Sequence, residues 1–226
     1  MDRYQKNREM LSTQECDMLH EKRVCVVGCG GLGGYVIEML GRLGIGYLTV
    51  VDGDDFDMSN LNRQLLSQED NLSQSKAFEA KQRMAAVNSE VEVNPIEAFL
   101  TEENALEILS AHDVIVDATD GIATRFCLQE MAKKLEIPLV YGAIGGWYAQ
   151  VCTILPGDDT LNRIYKSHIG KGIEQRLGNP SFTPALAAST QVSEVLKLLL
   201  GRGDLLRHRL LIMDLYWNDF EVIEFK

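Results

Sequence analysis

The stretch RVCVVGCGGLGG, residues 23–34, constrains the chain more than any other. A short apolar run that stops at a glycine cluster is the pattern of a buried strand, and Gly28, Gly30 and Gly33 supply the G-x-G-x-x-G turn that opens a helix. Residues without Cβ atoms let the chain turn tightly and approach a ligand closely. Free N–H groups and the helix dipole favour negative charge there, so the turn predicts an anion site and, in a strand-turn-helix unit, a nucleotide. Such a turn can also serve only to pack a helix against a sheet, and the rest of the sequence must decide.

The unit continues as an apolar helix over 35–43, stopped by Gly44 and Gly46. A second strand over 47–51 finishes at Asp52, about twenty residues beyond Gly33, where a dinucleotide-type fold puts an acid on the ribose hydroxyls. The following DGDDFDMSNLNRQLL is rich in acids but lacks the spacing and terminal Glu of a calcium loop. Its polar cluster Asn60, Asn62, Arg63 and Gln64 is either a solvated connection or a phosphate grip, because a planar Arg fork binds phosphate oxygens. A helix over 75–87 carries Lys76 in its first turn. A cation there opposes the dipole by roughly 0.3–1 kcal/mol, which makes sense if it faces an anion.

A third strand over 91–96 and a helix over 102–109 capped by Thr101 lead to a strongly apolar strand, 112–118, ending in DATDGIATR. Asp117 and Asp120 therefore lie at the carboxyl edge of a central strand, where open α/β sheets hold their ligands. A metal or a reacting phosphate needs a carboxylate at such a place. Asp120 can equally cap the next helix, 122–135, with Arg125 as its partner or as another anion contact. Strands over 138–143 and 148–155, joined by a turn at Gly145 and Gly146, read as an antiparallel pair. Residues 156–184 show no period, the mark of a functional crossover or mobile lid. A helix over 184–200 stopped by Gly201 and strands over 210–215 and 221–225 complete the chain, with Trp217 and Phe220 read as core or hairpin packing. At the other end, helical pieces over 3–10 and 13–19 precede the first strand, the second capped by Ser12 or Thr13.

Charge and cysteines narrow the function. With 33 acids against 22 bases the net charge is −11, which repels polyanions and speaks against nucleic acid as a ligand. No apolar stretch approaches the roughly 20 residues of a membrane span, and the charged N-terminus lacks a secretory core, so a cytoplasmic location and no membrane partner are expected. Five cysteines without a C-x-x-C pair argue against disulfides and zinc; Cys25 and Cys29 read as buried small residues.

In order and spacing, GCGGLG, VVDGDDFDMSNLNRQ, Lys76 after SQS, DATDGIATR, IPLVYGA and FTPALAASTQVSEVLKLLLG resemble the ThiF/MoeB/HesA adenylyltransferase family, relatives of the ubiquitin-activating enzymes. The combination of S-N-L-N-R-Q with D-x-x-D-x-x-x-x-R is far more specific than the glycine turn, and the resemblance covers essentially the whole chain. It implies an α/β fold, a Rossmann-like, mostly parallel sheet with helices on both faces, extended by antiparallel strands in the C-terminal half. It also implies one adenylyltransferase domain over 1–226, divided into a helical arm (1–22), a nucleotide-binding core (23–155), a crossover loop (156–184) and a C-terminal helix with strands (185–226). The implied reaction is adenylation, from Mg-ATP, of the C-terminal carboxylate of a small ubiquitin-fold sulfur-carrier protein ending in Gly-Gly.

Carried over position by position, the resemblance places Gly28, Gly30, Gly31 and Gly33 in the nucleotide loop and Asp52 on the ribose hydroxyls, with Asp54 also among the nucleotide-binding residues. Asn60, Arg63 and Lys76 would hold the triphosphate, and Asp120 the Mg2+ and α-phosphate. Three departures matter. The C-x-x-C pairs of zinc-holding members are missing, so no zinc is expected; 156–184 has no cysteine, so the acyl-adenylate is the expected product. The N-terminal R-Y-x-R signature, whose last Arg reaches the partner protomer's ATP in dimeric members, reads Arg3-Tyr4-Gln5-Lys6, which leaves Lys6 or Arg8 for that contact in the implied homodimer. Competing readings are an NAD-dependent oxidoreductase, a non-catalytic scaffold, and adenylation of a peptide C-terminus.

Overall fold

The structure is a computed structural model and describes residues 3–167 and 177–225. Short β-branched runs bounded by glycine or polar turns form the strands β1 Arg23–Val27, β2 Tyr47–Val51, β3 Glu92–Ile96, β4 Val114–Asp117, β5 Leu139–Gly145, β6 Tyr148–Ile154, β7 Arg209–Asp214 and β8 Asp219–Glu224. Among the described residues the helices are α1 Thr13–His20, α2 Gly31–Leu43, α3 Lys76–Val87, α4 Glu102–Leu109, α5 Ile122–Leu135, the single turn α6 Leu161–Ile164, and α7 Phe182–Leu200. All eight strands join in one sheet of order β3-β2-β1-β4-β5-β6-β7-β8. The first five in that order pair in parallel, and β5-β6-β7-β8 are antiparallel.

Side chains alternate across this sheet because a strand has period two. Val24 and Val26 of β1 pack with α1, α2, α3 and α7 on one face, while Cys25 and Val27 pack with α4, α5 and α6 on the other. Since both faces are covered, β1, β2 and β4 are almost continuously apolar, as parallel strands must be. Connections leave β1 and β4 in opposite directions, so their carboxyl ends open a crevice between neighbours. Gly28, Asp52 and Asp117 all stand at that edge.

Several boundaries differ from the sequence reading, each for a local reason. Helix α2 begins at Gly31, before its apolar period, and α7 at Phe182, two residues ahead of Pro184. Residues 3–10 form no helix beyond a 3-10 turn at Gln5–Asn7. That stretch has no apolar stripe to bury; Arg3 instead bonds Asn88 Oδ1, and Asn88 Nδ2 donates to the Tyr4 hydroxyl at 2.8 Å. Ser12 is the cap of α1, in a reciprocal capping box with Glu15. The β5–β6 turn is Gly146-Trp147, since Gly145 still pairs with Tyr148. Trp217 and Phe220 sit on the outermost hairpin and are 73% and 51% exposed, so they are not core. Of the aperiodic 156–184 segment, residues 168–176 lie outside the described residues; the remainder includes α6 and the first turn of α7.

The turn after β6 is fastened to the stretch leading into β7. Asp158 Oδ2 accepts the Leu155 N–H at 3.0 Å, and both carboxylate oxygens receive the Arg207 fork at 2.9 and 3.0 Å. Burial works against the Asp158 charge, but the Arg207 fork, the Leu155 N–H and the nearby His208 outweigh it and hold the carboxyl below its ordinary value. A depressed pKa stabilises the fold above the unfolded value of roughly 3.9 and ceases to do so as pH falls through the folded value. Asp158→Asn should therefore lower stability by about 1–2 kcal/mol at pH 7, after allowance for the half-exposed Arg207. Denaturant melts along a pH series should show the gap to wild type closing below about pH 4; a gap that does not change with pH would contradict this.

Candidate functional site

A cavity of about 250 Å3 lies along the carboxyl edge of β1, β2 and β4. Its floor is the turn between β1 and α2. Gly28 has φ +98°, and a Cβ there would stand 2.5 Å from the Ala118 carbonyl oxygen, so only glycine lets this turn pass β4. Gly33 serves packing rather than contact: its Cβ would fall 1.7 Å from the Gly28 oxygen, and it does not line the cavity. Gly30 and Gly31 do line it; a Cβ on Gly30 would meet Gln64, and one on Gly31 would meet Arg63, at ordinary contact distance.

Asp52 braces this floor. One carboxylate oxygen accepts the Cys29 N–H at 2.7 Å and the other the Asp54 N–H at 2.9 Å. Burial pushes its carboxyl up, opposed by those two N–H groups and by the charge of Lys76. Cys25 and Cys29 lie beneath, and burial raises the first thiol to about 12 and the second well above its ordinary value. Neither is a thiolate at neutral pH.

Cations and a carboxylate converge above the floor. Lys76, 7% exposed, places Nζ 3.1 Å from Asp54 Oδ2, so the anion it faces is a side chain of its own chain. Arg63 Nη1 donates to the Ser59 carbonyl at 2.9 Å and to Asn62 Oδ1 at 2.8 Å, and no carboxylate pairs with it among the described residues. Asp120 lines the opposite wall, exposed, and no hydrogen bond or ion pair of its carboxylate occurs among the described residues. It does not cap α5, because the cap position falls one residue later on Gly121, which has no side chain to offer. Arg125 is likewise not its partner; the guanidinium turns inward to Asp117, 3.7 Å away.

Eight of the residues expected at the site thus share one cavity: Gly28, Gly30, Gly31, Asp52, Asp54, Arg63, Lys76 and Asp120. Gly33 and Asn60 do not line it. Asn60 is buried and its Oδ1 accepts the Asp57 N–H at 3.0 Å, completing the cap of the 3-10 turn Met58–Asn60. Sequence reasoning missed the wall formed by Phe99 and Leu100 just past β3, although the carboxyl-edge rule that found Asp120 applies there too. Asn179 also lines the cavity and had no sequence signal, since it lies in the aperiodic segment.

Chemically, the site offers Asp52 and Asp54 near a glycine floor, the cations Arg63 and Lys76, the inward-turned Arg125 in its wall and the open Asp120 carboxylate, an arrangement for anions and a divalent cation. The sequence profile of the ThiF family matches residues 4–226. The chain belongs to the ThiF family. Among curated ThiF-type relatives, the SAMP-activating enzyme E1 of Haloferax volcanii is 33% identical, with 100% of this chain and 86% of that protein covered. The sulfur carrier protein adenylyltransferase of Thermus thermophilus is 35% identical, covering 95% of this chain and 83% of that protein. Among solved structures, MccB of E. coli, crystallised with MccA-N7isoASN, has a TM-score of 0.88 at 19% identity, over 99% of this chain and 72% of that one, a likeness of fold. ThiF membership fits a mostly parallel sheet with antiparallel C-terminal strands. No described helix is long and apolar enough to cross a membrane.

Proposed function

We propose that this ThiF-family chain is an adenylyltransferase that activates the C-terminal carboxylate of a small ubiquitin-fold sulfur-carrier protein ending in Gly-Gly. The biosynthetic setting would be a sulfur-containing cofactor of thiamine or molybdopterin type. The observation that carries the proposal is the meeting of Arg63, Lys76 and Asp120 over a glycine floor, a set that handles phosphate charge without being asked for a general base. Adenylation needs none. The attacking carboxylate is already a nucleophile: its oxygen bonds to the α-phosphorus of ATP, the bond to the β-phosphate oxygen breaks, and pyrophosphate leaves. The enzyme's work is to bring anions together and stabilise charge on the α-phosphate and leaving group.

Arg63 and Lys76 do that work in this proposal, Lys76 exchanging Asp54 for a phosphate, while Asp52 receives the ribose. The open Asp120 carboxylate fits Mg2+, which is usually held by one or two carboxylates together with substrate phosphates rather than by a protein cage. Mg2+ bound there with ATP would neutralise charge on the phosphates. The whole chain would act as one adenylation domain, in the cytoplasm, without zinc. As a homodimer, it would offer Lys6 or Arg8 to the nucleotide of the partner protomer; Arg3 and Tyr4, held on Asn88, anchor the arm that carries them.

Incubation with Mg-ATP and a candidate carrier, followed by mass spectrometry of the carrier, should reveal a C-terminal AMP adduct that a carrier lacking its final glycine does not form. A short peptide accepting AMP while every ubiquitin-fold carrier refuses it would transfer the proposal to peptide adenylation.

A further inference from the structure

A partly buried polar chain runs from the β5–β6 hairpin to the stretch that carries Asp120. Gln150 Nε2 donates to the Tyr141 hydroxyl at 2.7 Å, and the Tyr141 and Tyr165 hydroxyls lie 2.6 Å apart. Arg125 Nη1 donates to the Tyr165 hydroxyl, and its Nη2 donates to the Thr119 carbonyl at 2.6 Å. Arg125 is 3% exposed, and its guanidinium carbon sits 5.3 and 5.8 Å from the centres of the Tyr141 and Tyr165 rings. Burial works against its charge, but Tyr141, Asp117 and Tyr165 hold the proton on. Tyr165 closes α6, and its ring meets Tyr141 and Phe126 edge-on, each at 6.3 Å between centres.

The consequence lies one peptide beyond Thr119. Since no hydrogen bond or ion pair holds the Asp120 carboxylate among the described residues, its place is set by the backbone before it. That backbone has anchors on both sides: Gln191 donates to the Asp117 carbonyl at 2.8 Å, and Arg125 to the Thr119 carbonyl. A guanidinium is a rigid planar fork, so a lost partner at one nitrogen tilts the bonds made by the others. We infer that Tyr165 is a positioning residue for Asp120, acting through Arg125: the phenol fixes the guanidinium, and the guanidinium fixes the Thr119 carbonyl. Sequence spacing gave no hint of it, because Tyr165 belongs to the aperiodic segment after β6.

The inference rests on the proposal that Asp120 holds a divalent cation with the nucleotide. It is tested by Mn2+ titration, followed by electron paramagnetic resonance, in saturating α,β-methylene ATP. Wild type, Tyr165→Phe and Asp120→Asn are compared, with thermal melting to confirm folding. Tyr165→Phe should bind Mn2+ about tenfold more weakly, the scale of losing an outer support of a metal ligand, and shift in the same direction as Asp120→Asn. A role in packing alone would lower the melting temperature and leave Mn2+ affinity at the wild-type value. That outcome, with Asp120→Asn weakened, overturns the inference and spares the Asp120 assignment; unchanged affinity in Asp120→Asn overturns both. If Tyr165→Phe fails to fold, Arg125→Lys, which keeps the charge but loses the fork, should weaken Mn2+ binding similarly, and wild-type affinity there overturns the inference.

Discussion

Asp120→Ala and Arg63→Ala should each lower the rate of adenylation by about 10²–10³, the loss seen when one preorganised electrostatic group is removed. The two variants should fail differently. Among the described residues Arg63 holds only the Ser59 carbonyl and the Asn62 side-chain oxygen, and so its truncation should leave the fold alone and remove charge from the proposed phosphate site. Asp120 touches no other described side chain by hydrogen bond or ion pair, so its loss is also silent in stability. With Asp120→Ala, excess Mg2+ should restore part of the rate; with Arg63→Ala it should not. Steady-state rates across a Mg2+ series check this, and near-normal activity in either variant removes that residue from the mechanism.

The glycines should separate into two kinds of failure. Gly33→Ala places a methyl 1.7 Å from the Gly28 carbonyl oxygen, a backbone atom that cannot turn aside. Overpacking of this sort costs about 1–3 kcal/mol or more, and the variant should melt early or not fold. Gly31→Ala puts the same methyl 3.6 Å from Arg63 Cγ and 3.7 Å from Pro184 Cγ, ordinary contact distances, at the first residue of α2. Its stability should stay within about 0.5 kcal/mol of wild type. Yet Gly31 lines the cavity and the methyl abuts Arg63, the residue proposed to hold the phosphates, so ATP affinity should fall about tenfold or more, as an extra methylene in a fitted site does. Paired melting curves and ATP titrations read both effects. A destabilised Gly31→Ala that binds ATP normally would reverse the assignment.

Those two glycines show what the sequence makes legible. The β1-turn-α2 unit is readable because a buried parallel strand must be apolar on both faces and the turn must dispense with Cβ atoms. Asp120 is readable because strand order places it at the carboxyl edge. The use of each polar group is not readable in the same way. Asn60 and Arg63 stand in one cluster, but the turn Met58–Asn60 consumes the Asn60 side chain for its own cap. Arg125 lies five residues from Asp120 in sequence, yet the helix turns it back to Asp117 and Thr119. Trp217 and Phe220 read as core or hairpin packing; their place on the outermost hairpin, unknown without the sheet order, leaves them exposed and out of the core. Residues 3–10 look helical by composition too, but their anchors are side-chain bonds to a distant Asn88.

ATP–pyrophosphate exchange in the presence of Mg2+, with and without a small ubiquitin-fold protein ending in Gly-Gly, tests the central claim most directly. Exchange that requires the carrier and disappears in Asp120→Ala is the predicted result, since only reversible attack of a carrier carboxylate on the α-phosphate returns label from pyrophosphate to ATP. Measurable ATP binding with no exchange for any such carrier would contradict it.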